Sequence, residues 1–328
     1  MTELEQRLLS VIQNDFPLED RPYQVLAGQL GSDEQSVFDT VENLRMSGVI
    51  RRIGGVYDSK ALGFISRLCA GKVCYVDKFA DAVNEIPSIT HNYVRSHEYN
   101  VWFTVIAESE DEIRKIVDGL CTSTDLHDVH ILSATKKFKI NTVMGAGAPV
   151  DSRQLTVDSG VILSEARNSD LSLRKQSPAG ILSDSGRARI RVACTDIPHT
   201  LTPFKDWGVS CEELRDDLAQ KRMRRFGAIL RHQEAGFAYN AMVCFGLDER
   251  RETKDERGWA LAKKPYVSHC YERPVFEGFP YSLYAMMHAR SAEDLECYIK
   301  DAAASIGNPE YVVLHSVKEL KKTSFRFF

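Results

Sequence analysis

Apolar residues at Leu4, Leu8, Leu9 and Ile12 recur at helical spacing, and Asn14-Asp15-Phe16-Pro17 breaks the run. Arg21-Pro22-Tyr23 opens a second short helix that ends near Leu30-Gly31. Ser32 can cap a third, with Gln35 at the reciprocal capping position; it runs through Val37, Val41 and Leu44 to a stop at Gly48. Residues 49–58 then read as a two-stranded wing, which completes a winged helix-turn-helix, a fold usually met on DNA. From Ser66 the period changes. A strand over 67–75, a helix over 79–85, two strands across 90–104, a helix over 111–120 and a strand over 129–139 give the order β-α-β-β-α-β. That is a ferredoxin-like sandwich, four antiparallel strands with two helices on one face.

Residues 141 to about 185 have no sustained period and are rich in Gly, Ser, Asp and Ala, as a linker is. The plan then repeats. Asp15-Phe16-Pro17 returns as Asp196-Ile197-Pro198, Arg51-Arg52-Ile53-Gly54-Gly55 as Arg224-Arg225-Phe226-Gly227-Ala228, and Leu62-Gly63-Phe64 as Ala235-Gly236-Phe237. The offset falls from 181 to 173, so the second copy lacks about eight residues of its turn and recognition-helix region. The expected α+β chain is therefore a tandem. It runs as a winged helix-turn-helix over 1–60, a ferredoxin-like domain over 61–142, a linker over 143–184, a degenerate winged helix over 185–234 and a second ferredoxin-like domain over 235–328.

Composition narrows the classes. At 328 residues, 43% hydrophobic and 27% charged, the chain suits about two domains with a substantial core. A net charge of -4 provides no global field for nucleic acid. No apolar run approaches the roughly 18 residues of a membrane span, and eight scattered cysteines without a C-x-x-C pair suit reduced thiols in the cytoplasm. No membrane association and no resident metal are expected.

The chemistry concentrates in two strands. In Thr90-His91-Asn92-Tyr93-Val94-Arg95 the alternation of a strand places His91, Tyr93 and Arg95 on one face. The row returns as His269, Tyr271 and Arg273, and each copy leads into an aromatic strand: Tyr99, Trp102 and Phe103 in the first, Phe279, Tyr281 and Tyr284 in the second. Arginine binds carboxylates bidentately, and histidine serves as a general acid or a metal ligand. The bland alternative is that the aromatics fill the sandwich core and each histidine bonds a carbonyl. Retention of His, Tyr and Arg in both copies, while their neighbours diverge, favours a duplicated site.

These motifs carry a resemblance. A winged helix joined to a ferredoxin-like sandwich resembles the AsnC/Lrp family. The run from Thr90 through Arg95, His97, Tyr99 and Asn100 to Trp102-Phe103-Thr104 is similar to one subunit type of siroheme decarboxylase. Ser268-His269-Cys270-Tyr271, Phe279-Pro280-Tyr281, Arg225-Phe226-Gly227-Ala228 and His232 are similar to the other, so the chain resembles the fused NirD–NirL type. The resemblance implies removal of two acetate carboxyl groups of siroheme as CO2, giving didecarboxysiroheme for the nitrite reductase heme or an alternative heme pathway. It implies no cofactor beyond the iron that the substrate carries. His91 and His269 become the acid candidates, unless one faces that iron, with Tyr93 and Tyr271 orienting or relaying protons. Arg95, His97 and Arg273 would clamp carboxylates. Arg51, Arg52, Arg225 and His232 would add positive charge, and Trp102 and Tyr281 flat surface. The two halves would pair within the chain, and two chains would form a homodimer. The rival is a transcription regulator with an amino-acid or tetrapyrrole effector. The shortened second copy and the acidic third helix (Asp33, Glu34, Asp39, Glu42) speak against DNA binding.

Overall fold

The structure, a computed structural model, describes residues 1–140, 182–231, 236–247, 251–323 and 325–328, with residues 251–253 described by backbone alone. The linker expected over 143–184 lies almost wholly outside these, as does His232. The chain divides into two compact units, one formed by both helix-turn-helix copies and one by both ferredoxin-like copies.

In the first unit, α1 (Glu3–Ile12), α2 (Pro22–Leu30), α3 (Glu34–Met46) and β1 (Ile50–Tyr57) are matched by α6 (Asp184–Ala193), α7 (Pro203–Trp207), α8 (Cys211–Ala219) and β7 (Met223–Leu230). The cap of α3 is Asp33, whose carboxylate accepts the Ser36 N–H at 2.8 Å, rather than Ser32. The shortening falls where the offsets place it: α7 has five residues against nine in α2, and α8 nine against thirteen in α3.

The two-stranded wing expected within 49–58 does not form. The segment is one strand, and its partner is β7 of the other copy. Gly54 and Gly55 look like a turn in sequence, yet neither takes a positive φ. They serve close approach instead. A Cβ at Gly54 would stand 2.4 Å from the Thr195 carbonyl oxygen; at Gly227, its counterpart, it would stand 2.5 Å from that of Ile12. The contacts are reciprocal. Phe16 N–H donates to Phe226 O at 3.0 Å, and Ile197 N–H to Ile53 O at 2.8 Å. Each copy's strand is thus fastened to the segment after the other copy's first helix. Gly227→Ala is expected to destabilise the protein by about 1–3 kcal/mol, because backbone must move to admit the methyl group. A urea midpoint equal to that of the unsubstituted protein would refute this.

The second unit holds β2 (Ile65–Lys72), α4 (Val76–Asn84), β3 (Ile89–Arg95), β4 (Val101–Ala107), α5 (Glu110–Ser123), β5 (His127–Leu132) and β6 (Lys136–Ile140) from the first half. The second half adds β8 (Tyr239–Phe245), α9 (Arg251–Ala262), β9 (Val267–Glu272), β10 (Leu283–Ala289), α10 (Ala292–Ser305) and β11 (Tyr311–Lys322). The sheet order is β5-β2-β4-β3-β11-β8-β10-β9-β6. Each half keeps the ferredoxin-like order, but the strand expected over 129–139 is divided. β5 stays with β2, and β6 crosses to the edge of β9 in the other half. β11 does the same in one piece: Tyr311–His315 pairs with β8, and Ser316–Lys322 pairs with β3. The two halves therefore pair within the chain by lending each other a terminal strand. Lys139 and Lys321 secure the exchange. Lys139 Nζ donates to Lys264 O at 2.7 Å, and Lys321 Nζ to Val83 O at 2.8 Å and Ile86 O at 2.7 Å, at the carboxyl ends of α9 and α4 where backbone carbonyls lack partners.

Alternation sorts the side chains. Phe103 and Val105 of β4 pack under the helices of the first half, and Cys270 and Ala285 under those of the second. Trp102 points the other way. With Ala70 and Leu132 it meets Met242, Phe279, Tyr284 and Leu314 in a third core built by both halves.

Candidate functional site

The His-Tyr-Arg rows lie on the face of this third core. Tyr93 stands opposite Trp102 on β4, and Tyr271 opposite Tyr284 on β10. Asn92 and Cys270, between the row residues, face the helices. The period-2 expectation is met in both copies.

The arginines cross between halves. Arg95, 5% exposed, donates through Nη1 to Leu314 O at 3.2 Å and Ser316 Oγ at 2.6 Å. Arg273 donates through Nη1 to Leu132 O at 2.7 Å, the equivalent carbonyl of the other fourth strand. Each guanidinium also lies over its row tyrosine, 4.9 Å from the Tyr93 ring and 5.0 Å from the Tyr271 ring. Both Nε atoms are buried without a hydrogen-bond partner, and no carboxylate among the described residues pairs with either arginine. Burial pulls both pKa values down from the ordinary arginine range. A buried cation without a counter-ion is costly, and an incoming carboxylate removes much of that cost. Nε is left for it in both, and the adjoining Nη2 of Arg95 has the Met286 sulfur, a weak acceptor, at 4.0 Å.

The histidines are oriented alike. His91 Nδ1 is 2.9 Å from Thr90 Oγ1, and His269 Nδ1 is 2.9 Å from Ser268 Oγ. The hydroxyl pins Nδ1, so Nε2 is the nitrogen on the far side of each ring. This is the signal that sequence reasoning missed: both copies carry a hydroxyl residue immediately before the histidine. Ser316 and Asn240, linked at 2.5 Å, were missed as well. They belong to a cavity of about 160 Å³ lined by Tyr93, Tyr239, Asn240, His315, Ser316 and Glu319 among others.

The lent strands make the copies differ. Beside the first row β11 places Glu319 opposite Tyr93 and Lys322 opposite His91; beside the second, β6 places Lys137 opposite Tyr271 and Ile140 opposite His269.

Other expected residues lie elsewhere. Trp102 is 1% exposed, its indole N–H donating to Tyr99 O at 2.7 Å; it is core rather than an open wall, because side chains of both halves pack around it. Tyr281 is half-buried, edge-on to Phe279 at 4.9 Å. His97 is held by the Tyr99 N–H, which donates to its Nδ1 at 3.1 Å, and stacks near that ring; burial lowers its pKa. Arg51, Arg52 and Arg225 belong to the winged unit. There Arg52 donates to Gly55 O at 3.3 Å and Arg225 to Ala228 O at 3.3 Å and to Gln13 O, with the Arg225 pKa lowered to about 10 by burial. Arg225 thus reaches the segment after α1, and Arg52 reaches Thr195 O after α6 at 3.5 Å, so both fasten the reciprocal contacts of β1 and β7.

Comparison with known proteins agrees with this plan. The AsnC-like ligand binding domain family matches residues 61–139 and 234–321, just over half of the chain, and the siroheme decarboxylase NirDL-like HTH domain matches residues 5–51. A siroheme decarboxylase of Hydrogenobacter thermophilus is 29% identical over 98% of this chain and 94% of its own. The siroheme decarboxylase alpha subunit of Desulfovibrio desulfuricans is 46% identical over 43% of this chain and 82% of its own. The crystal structure of the siroheme decarboxylase NirDL in complex with an iron-uroporphyrin III analogue superposes with a TM-score of 0.64 at 25% identity, covering 99% of this chain and 94% of that one. The protein belongs to the family of AsnC-like ligand binding domains, and it is similar over nearly its whole length to siroheme decarboxylases of the NirDL type.

Proposed function

We propose that this protein is a siroheme decarboxylase, a carboxy-lyase that removes two acetate carboxyl groups as CO2 to give didecarboxysiroheme. The observation that carries the reading is the duplicated pair of a buried, counter-ion-free arginine and a pinned imidazole on one face. Siroheme is a flat polycarboxylate, and Arg95 and Arg273 offer guanidinium edges to its carboxylates. Loss of CO2 breaks a C–C bond and leaves its electron pair on a methylene carbon conjugated with the macrocycle. An acid then protonates that carbon, so no redox cofactor is required. His91 and His269 are the acids, and Tyr93 and Tyr271 orient the reacting group.

The regulator alternative has less support. The second copy's helices α7 and α8 are short, and Asp33, Asp39 and Glu42 are exposed along α3, where a phosphate backbone would be repelled. The deciding experiment is anaerobic incubation with siroheme and no added cofactor, followed by mass spectrometry. A product lighter by two CO2 units is expected. Unchanged siroheme with folded protein would remove the reading.

A further inference from the structure

Each decarboxylation of this kind consumes one proton, since a carboxylate leaves as neutral CO2 and a hydrogen takes its place. The acid must therefore be recharged between turnovers. The structure differs between the two copies at the atom where recharging would occur.

In the second half the hydroxyl that pins His269 has another partner. Ser268 Oγ lies 2.9 Å from His269 Nδ1 and 2.9 Å from His288 Nε2, with Met286 O at 3.3 Å. Ser268 and His288 are 7% and 9% exposed. The three side chains meet because the register of β9 against β10 shifts between Met286 and Met287, which brings Ser268 beside His288. The β10 backbone is fixed there, His288 N–H donating to Tyr266 O at 3.1 Å. In the first half Thr90 pins His91 in the same way, but the residue at the place of His288 is Ile106. Ile106 stands opposite Ser66 on β2, as His288 stands opposite Asn240 on β8. Among the described residues, only the second copy has an imidazole behind its hydroxyl.

We propose that Ser268 and His288 form a proton store for His269, which makes the second-half row the site that recharges itself. The inference rests on the decarboxylase reading above. The loaded state has His288 as imidazolium, Ser268 donating to His269 Nδ1, and His269 carrying its proton on Nε2. As the C–C bond breaks, the electron pair left on the methylene carbon takes the Nε2 proton. His269 Nδ1 takes the hydroxyl proton of Ser268, and Ser268 Oγ takes the Nε2 proton of His288, which becomes neutral. His269 passes from one neutral tautomer to the other and never becomes an imidazolate. When product leaves, a proton from solvent enters at His269 Nε2 and drives the same hops backwards. One proton enters per carboxyl group lost, and no other reactant is needed. Ser268 and His288 are positioning residues here, since only His269 meets the substrate.

Three variants of the full chain test it: Ser268→Ala, Ser268→Thr and His288→Gln. The glutamine keeps a hydrogen-bond donor near Ser268 Oγ and cannot carry a transferable cationic proton. Ser268→Ala and His288→Gln are each expected to lower kcat for siroheme about tenfold, a fraction of a general acid's contribution, with KM within about twofold. Ser268→Thr, which restores the hydroxyl, is expected to recover most of the rate. Independently of turnover, nitrogen NMR of the histidine rings should show the Nε2–H tautomer of His269 in the substrate-free protein and a mixed population in Ser268→Ala. Full kcat in His288→Gln, or an unchanged His269 tautomer in Ser268→Ala, overturns the proposal. Failure of the unsubstituted protein to decarboxylate siroheme would instead sink the enzymatic reading, while the tautomer measurement still reports the hydrogen-bond chain.

Discussion

His269→Ala is expected to lower siroheme turnover by about a hundredfold or more, the usual cost of removing a positioned general acid. His91→Ala is expected to cost less. The rows have the same residues and the same hydroxyl pin, so the difference must come from their surroundings. The lent strand β6 brings Lys137 opposite Tyr271, whereas β11 brings Glu319 opposite Tyr93, and Glu319 also lines the cavity beside that tyrosine. An anionic substrate group would meet a cation at one row and a carboxylate, with Lys322 Nζ 3.6 Å away, at the other. Assaying both variants for mono- and didecarboxylated product separates the roles. Near-normal turnover by His269→Ala with loss in His91→Ala would reverse the assignment. Full activity in both would remove histidine as the acid and leave Tyr93 and Tyr271.

The second large effect is expected on binding. Arg95→Met and Arg273→Met should each weaken siroheme affinity by about thirtyfold or more, since truncating one partner of a buried charge pair costs about 2 kcal/mol or more. Both arginines already use Nη1 on a carbonyl of the opposite half, which fixes the guanidinium plane; a bidentate carboxylate would take Nε and Nη2, displacing at Arg95 only the weak Met286 sulfur contact of Nη2. Lysine at either position should not restore affinity, because an ammonium has no such fork. The substrate-free protein is expected to melt at nearly its original temperature. The lost carbonyl bonds are offset by the removal of a buried cation that has no counter-ion. Titration of the siroheme absorption bands under anaerobic conditions measures the affinity, and unchanged binding in both variants would refute the carboxylate role.

The sequence by itself determined the duplication, the two kinds of domain and the row of His, Tyr and Arg on one strand face. These follow from local periodicity and from spacing that survives divergence. It also located the shortening of the second copy, which shows as a change of offset and falls on α7 and α8.

Tertiary structure decided the partners. An extended strand has the same pattern whichever neighbour it pairs with, so nothing local says that β6 leaves its own half for β9, or that β1 pairs with β7. Glycine marks a turn and a close approach with the same letter, and Gly54 proved to be the second. Aromatic residues look alike in sequence whether they wall a pocket or fill a core; Trp102 lies in the core because residues of both halves pack around it. The contacts that shape the site join residues far apart in the chain: Arg95 with Leu314, Arg273 with Leu132, Ser268 with His288. Their chemistry is legible residue by residue. Their meeting depends on the register of strands exchanged between two halves, which only the folded chain specifies.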